Sequence, residues 1–174
     1  TVKPDIMKKL LLISLFLSIL VSCGGRKRVE KALYSGNYDK AISNALNKLK
    51  TNKDKKRKQD YVVMLKEAYN KAVARDLQTI DRLKKDNNPE LYRSVYETFV
   101  NLDARQEAIK PVLPLQVNRR LVPFKFNDYS QGLAEYREKT SDYLYGIGLD
   151  LLDSGDKFKI REAYNTYDYI ESIN

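Results

Sequence analysis

Residues 36–42 read GNYDKAI and separate two segments whose apolar residues recur with a helical period. The first segment covers residues 29–35, and the second covers residues 38–51. One face of the second segment carries Ile42, Ala45, Leu46 and Leu49. Glycine is common just after a helix because it adopts left-handed dihedral angles without a steric penalty. The pattern therefore predicts two short helices joined by a tight turn at Gly36-Asn37.

The helical period continues through most of the remaining chain. A helix is predicted over residues 60–86, where the following side chains form one continuous stripe expected to be buried: Val62, Leu65, Tyr69, Val73, Leu77, Ile80 and Leu83. Asn88-Pro89-Glu90 predicts the start of the next helix, which Pro111 ends. Asp128 begins a further helix that Ser154-Gly155 ends, and the last helix starts near residue 159, with Tyr164 facing inward.

The composition supports a helical fold. Glycine and proline are scarce, at 7 and 5 of 174 residues, whereas 43% of the residues are hydrophobic and 32% are charged. Residues 111–128 are the exception, because they contain three prolines and an alternating apolar pattern typical of an extended linker or a short strand. We expect an all-α fold of antiparallel helical hairpins stacked as a short solenoid, with an extended insert near 111–128.

The N-terminal segment has the layout of an export signal. Met7-Lys8-Lys9 precedes a 12-residue apolar run at 10–21. A membrane-spanning helix needs about 20 such residues, so the run fits the core of a signal peptide. It ends in Leu20-Val21-Ser22-Cys23, which resembles the lipobox of bacterial lipoproteins. That resemblance implies cleavage by signal peptidase II between Ser22 and Cys23 and a lipid on the Cys23 sulfur, with palmitate among its acyl chains. The alternative is an ordinary secretory signal followed by a chance cysteine.

The lipoprotein resemblance also implies a location. Three acyl chains, as lipoproteins carry, would hold the chain stably on a membrane, since one chain holds a protein only marginally. Gly24, not Asp, follows Cys23, which by analogy with Gram-negative sorting implies the outer membrane, facing the periplasm. We expect residues 1–6 to lie upstream of the natural start at Met7.

The turn motif carries a second resemblance. Gly36, Tyr38 and Ala41, followed by an aliphatic residue, are similar to the inter-helix turn of tetratricopeptide repeats. In that family the glycine adopts the turn dihedrals and the alanine lets two helices approach closely. Residues 151–164 echo the motif with a longer turn, and no regular repeat period runs through the chain. The resemblance implies a tetratricopeptide-like (TPR-like) solenoid, and a generic helical bundle is the alternative.

The expected organisation follows chain order: a signal peptide at 1–22, a lipidated tether at 23–28, TPR-like hairpins at 29–110, the linker at 111–128 and a second hairpin at 129–174. We expect that hairpin to continue beyond residue 174. The mature chain would contain 29 basic and 22 acidic residues, a net charge of +7. Two basic clusters stand out, at 26–28 and at 53–58. The first could contact anionic lipid, and the alternative is a solvated tether and a solvated loop.

The sequence contains no histidine and one cysteine, which excludes the usual zinc sites and histidine-based catalysis. Ser154-Gly155-Asp156-Lys157 matches the S-x-x-K motif of a serine-enzyme family, but the companion motifs are absent. We interpret Asp76 and Asp81 as solvated helix charges. We therefore expect a protein that is not an enzyme, with no catalytic residue, cofactor, metal or small-molecule substrate.

The sequence contains 13 tyrosines and no tryptophan. Tyrosine suits a peptide-binding surface because it combines apolar area with a hydroxyl group. Tyr136, Tyr143 and Tyr164 are the candidates for partner binding, although they could equally be core residues. The expected function is a membrane-anchored scaffold that binds another envelope protein and not nucleic acid, which an exported protein would rarely meet. The alternative is an anchor and spacer for a catalytic or cell-wall-binding domain beyond residue 174.

Overall fold

A computed structural model describes residues 24–174 of the chain. Residues 24–34 are helical and are termed α1. The remaining helices are α2 (Tyr38–Leu49), α3 (Gln59–Asp86), α4 (Tyr92–Ile109), α5 (Ser130–Asp153) and α6 (Lys157–Ile173), with short 3-10 turns at Lys56–Lys58, Pro89–Leu91 and Lys110–Val112. This architecture confirms the prediction of an all-α fold built from helical hairpins.

Side-chain caps set several helix starts. The Asn37 side chain accepts a hydrogen bond from the Lys40 amide at 3.2 Å, and Asn88 accepts one from the Glu90 amide at 3.0 Å. Asp156 accepts from the Phe158 amide at 2.7 Å, so α6 begins at Lys157, slightly earlier than the sequence predicts. Each cap satisfies an amide that would otherwise lack a partner in the first turn.

The described chain divides into two compact units, each discontinuous in sequence. Unit 1 contains residues 24–72 and Ala108–Phe124, and unit 2 contains Val73–Glu107 and Lys125–Asn174. One boundary falls inside α3 and another inside α4, so these units differ from the chain-order organisation expected from the sequence.

Unit 1 is built on the α1–α2 hairpin and the first part of α3. Gly25 near the start of α1 lies against Lys48 near the end of α2, which makes the two helices antiparallel. The core of this unit contains Val29, Leu33, Ile42, Ala45, Leu49, Val62, Leu65 and Tyr69. These residues lie on the apolar stripes of the three helices, so the amphipathic pattern positions the core.

The insert between α4 and α5 adds a small antiparallel hairpin to unit 1. Strand β1 (Gln116–Val117) pairs with β2 (Arg120–Leu121). The two turn residues, Asn118 and Arg119, have φ angles of 50° and 63°, as a tight hairpin turn requires. The insert is thus non-helical beyond the 3-10 turn, as predicted, and part of it forms a short strand pair.

Unit 2 contains the rest of α3 and α4 together with α5 and α6. Its core cluster consists of Ile80, Val95, Phe99, Leu102, Tyr129 and Tyr136. The Gln106 side chain binds the backbone of Asn127 twice, accepting from its amide at 2.7 Å and donating to its carbonyl at 2.9 Å. That contact fixes the position of the segment that leads into α5. The side chain of Asn174, after the end of α6, donates to Ser141 Oγ in the middle of α5 at 3.1 Å, so α5 and α6 are antiparallel.

Two side chains expected in the core are exposed. Leu77 lies outside the buried face of α3, where Asp76 and Ile80 occupy the buried positions instead. Tyr164 is 65% exposed because its neighbour Ala163 takes the buried position on α6. A shift of one residue turns a side chain by about 100° around a helix, enough to move it from core to solvent.

Candidate interaction surfaces

The residues predicted for lipid attachment, Ser22 and Cys23, lie outside the described part of the chain. The predicted repeat turn lies inside it, between α1 and α2. Gly36 has a φ angle of +76° and its amide donates to the Leu33 carbonyl at 3.2 Å. After the turn, Tyr38 is half-buried and Ala41 is buried. The glycine therefore occupies a backbone conformation that side chains disfavour.

The three candidate tyrosines occupy different environments in unit 2. Tyr136 is buried, and its ring centroid lies 6.0 Å from that of Tyr92. Burial raises the pKa of the Tyr136 hydroxyl. Tyr143 is half-buried and packs against the same Tyr92 ring at 6.4 Å. Tyr136 thus belongs to the core, Tyr143 lies at its margin, and of the three only Tyr164 is exposed.

The α5–α6 hairpin carries five exposed apolar side chains, and the sequence analysis selected one of them, Tyr164. On α5, Tyr145, Leu149 and Leu152 follow the i, i+4, i+7 spacing of one helix face. On α6, Phe158 is 81% exposed and Tyr164 is 65% exposed. We call these five residues the hairpin surface. In the sequence, four of the five lie outside the predicted core stripes, whereas Tyr164 was placed on the stripe of the last helix.

The hairpin surface stands on a closely packed pair of helices. A Cβ added to Gly148 of α5 would lie 2.6 Å from Cζ of Tyr167 on α6, so the glycine permits this approach. The Tyr145 ring packs on the Tyr167 ring with centroids 5.8 Å apart. These contacts hold the exposed side chains on fixed backbone positions.

A shallow groove also lies between α4 and α5 within unit 2. It has a volume of about 470 Å³ and is lined by Tyr96, Val100, Asp103, Leu133, Ala134 and Arg137. The lining is mostly apolar and includes one acidic and one basic side chain. Such a groove has room for an apolar side chain of a partner.

The residues of the S-x-x-K motif make helix-end contacts. Ser154 Oγ donates to the Leu151 carbonyl at 2.7 Å, and Asp156 caps α6.

Among residues 24–174, no group of histidine, cysteine, aspartate or glutamate side chains could hold a metal ion. No helix in that same range is long and apolar enough to cross a membrane. No protein-family model, no curated protein and no solved structure matches this chain.

Proposed function

We propose that this chain is a lipid-anchored scaffold of a bacterial cell envelope, which binds an apolar segment of another envelope protein through the hairpin surface. The exposure of five apolar side chains on one helical hairpin is the observation that carries the proposal. Large exposed apolar patches are rare on soluble proteins and often mark sites of protein interaction. The lipobox-like residues before Cys23 and the TPR-like turn at Gly36 support it from the sequence.

The composition of the hairpin surface suits protein recognition. Phe158 and Tyr164 would act as aromatic anchors, the residue type that contributes most to binding energy. Lys157, Lys159 and Arg161 are exposed next to them on α6 and supply a polar rim. Because the two helices are packed closely, little backbone entropy would be lost when a partner binds.

The lipid anchor is tested by replacing Cys23 with serine in the full-length chain. The wild-type protein should incorporate labelled palmitate, and the Cys23→Ser variant should lose the label and accumulate as uncleaved precursor. Normal processing and labelling of that variant would contradict the anchor.

Partner binding is tested by placing a photo-activated cross-linking residue at Phe158 or Tyr164 in living cells. Tyr34, an exposed tyrosine on α1 of unit 1, is the matched control position. We expect one dominant envelope protein to be cross-linked from α6 and not from Tyr34.

The purified partner then allows a quantitative test. The variants Leu149→Asp and Phe158→Asp should weaken its Kd by about tenfold or more, because each replaces an apolar contact with a charge. Both side chains are exposed, so Tm should not fall. Tyr34→Asp should leave the Kd unchanged. The scaffold proposal fails if these variants bind normally, or if the purified full-length chain turns over a substrate and recovers no partner.

A further inference from the structure

One end of unit 1 gathers the two basic clusters of the sequence. Because α1 and α2 are antiparallel, the first residues of α1 lie beside the last residues of α2. A Cβ added to Gly25 would lie 2.8 Å from Lys48 Cε and 2.9 Å from Tyr61 Oη, which brings the start of α3 to the same end. An ion pair of 2.7 Å between Arg26 and Asp60 joins α1 to α3 there. Residues far apart in sequence thus form one surface.

We call this surface the basic end. It consists of Arg26, Lys27, Arg28, Lys48, Lys50, Lys53, Lys55, Lys56, Arg57 and Lys58. The stretches that contain it, 24–28 and 48–60, include only Asp54 and Asp60 as acids, so their net charge is +8. The whole mature chain has a net charge of +7, which leaves −1 for everything else. The net positive charge of the mature chain is therefore concentrated at one end of one unit.

Contacts at the basic end show that its cations lie close to one another. The Lys58 ammonium donates to the Lys48 carbonyl. Burial, and then the neighbouring charges of Arg57, Lys48 and Lys55, lower the pKa of Lys58. Lys53 donates to the Val112 carbonyl at 2.8 Å, which ties the loop to the rest of unit 1. The loop is thus held in a conformation that keeps like charges together, and an opposite charge nearby would relieve their repulsion.

The remaining cations point to solvent. Lys27, Lys50, Lys55, Lys56 and Arg57 are all exposed. Gly24, the first described residue, directly follows Cys23 in the sequence. The basic end consequently begins at Arg26, three positions after the proposed lipid attachment point.

We propose that the basic end lies against the anionic head groups of the membrane that carries the lipid on Cys23. The orientation of the surface rests on the proposed anchor, whereas its preference for anionic lipid rests on the charges alone. Lysine and arginine side chains near a membrane surface bind anionic lipids additively, and salt screens the attraction. The lipid would supply hydrophobic attachment, and the cations would hold the end of unit 1 on the surface.

The test uses the full-length Cys23→Ser chain, which carries no lipid. Its flotation is compared with vesicles of phosphatidylcholine alone and with vesicles that also contain phosphatidylglycerol. The apolar run at 10–21 can insert into either kind of vesicle, so a difference in binding between the two kinds reports the effect of head-group charge. We expect stronger binding to the anionic vesicles, and this preference should fall as salt is added.

Two variants, each of which removes four positive charges, show which cations cause the preference for anionic vesicles. Changing Lys50, Lys55, Lys56 and Arg57 to glutamine should reduce the preference for anionic vesicles by about tenfold or more. The control changes four exposed cations of unit 2 to glutamine: Arg82, Lys157, Lys159 and Arg161. This control should keep the preference, and both variants should keep the wild-type Tm.

The inference is overturned if both variants lose the preference equally, if neither loses it, or if the basic-end cations promote binding to a DNA duplex and not to anionic vesicles. The palmitate experiment decides the anchor separately. A chain that is not labelled but still prefers anionic vesicles would contradict the anchor and leave the basic end as a membrane contact.

Discussion

Arg105 Nη1 lies 2.6 Å from Asp76 Oδ2, and the two side chains are only 7% and 8% exposed. The same carboxylate accepts a hydrogen bond from Arg75 Nε at 2.8 Å. The pair joins α3 to α4 inside unit 2. Its charges are compensated as long as both partners are present, but removal of one leaves the other charged and poorly solvated.

The variant Asp76→Ala should therefore lower the free energy of unfolding by about 3–5 kcal/mol. Asp81 is the matched control, because it lies on the same helix and pairs with Lys85 at 2.7 Å while remaining exposed. Its replacement by alanine should change stability by about 0.5 kcal/mol or less. Urea unfolding of both variants measures the difference, and equal effects would show that the buried pair contributes no more than the exposed one.

This pair also marks a limit of sequence reasoning. Asp76 and Asp81 look alike as charges on one amphipathic helix, and the interpretation of Asp76 as solvated was wrong. What distinguishes them is a contact with Arg105, 29 positions further along the chain. No local pattern encodes that contact, because it depends on how α4 packs against α3.

Two glycines of α5 should respond in opposite ways to alanine. A Cβ at Gly132 would lie 2.6 Å from Cζ of Phe99, whose ring is buried in the core cluster and packs on Tyr129 and Tyr136. Gly146 has nothing within 4 Å of that position. We expect Gly132→Ala to destabilise unit 2 by about 1–3 kcal/mol through overpacking. Gly146→Ala should stabilise the helix by about 0.5–1 kcal/mol. Thermal unfolding distinguishes the two, and a rise in Tm for both would mean that Phe99 moves aside freely.

The turn at Gly36 should tolerate asparagine better than valine. Its φ of +76° lies in the left-handed region, where Asn52, Asn87 and Asn118 also occur in this protein. We expect Gly36→Val to lower the free energy of unfolding by about 1–3 kcal/mol, because a β-branched residue is strained there. The Gly36→Asn control should lose distinctly less. If chemical denaturation finds the two variants equally stable, the backbone at residue 36 is not the constraint.

The helices and most of their ends could be predicted because their causes are local. Each helix or helix end depends on residues a few positions apart. Examples are the apolar period within a helix, the cap at Asn88 and the positive φ angle of Gly36.

The basic end was not predicted, although the expected hairpin already places residues 26–28 near the end of α2. The loop at 53–58 joins them through the contact of Lys58 with Lys48 and the ion pair of Arg26 with Asp60, which depend on how α3 packs.

Most of the hairpin surface was missed for a different reason. Spacing alone does not show which apolar residues off the core stripe form a surface. Tyr164 was placed on the stripe because it lies next to Ala163, which takes the buried position.

The last prediction concerns Tyr169 and the alkaline stability of unit 2. The Tyr169 hydroxyl donates to Glu97 Oε1 at 3.2 Å, and the Arg93 guanidinium lies 3.7 Å from the centre of the Tyr169 ring. Burial first, and then the negative charge of Glu97, raise the pKa of Tyr169 from 10.0 to about 12, although the Arg93 charge opposes the shift. The fold therefore favours the neutral hydroxyl.

The sign of the pH effect follows from this shift. The folded chain holds the Tyr169 proton to a higher pH than the unfolded chain, so this contribution to stability is complete below pH 10 and is lost as the pH rises towards about 12. The Tyr169→Phe variant has no proton to lose and should show a shallower fall of Tm over that range than wild type. Tyr34→Phe, at an exposed tyrosine, controls for the other groups that titrate there. Parallel Tm profiles for wild type and Tyr169→Phe would show that the folded and unfolded chains release this proton at the same pH.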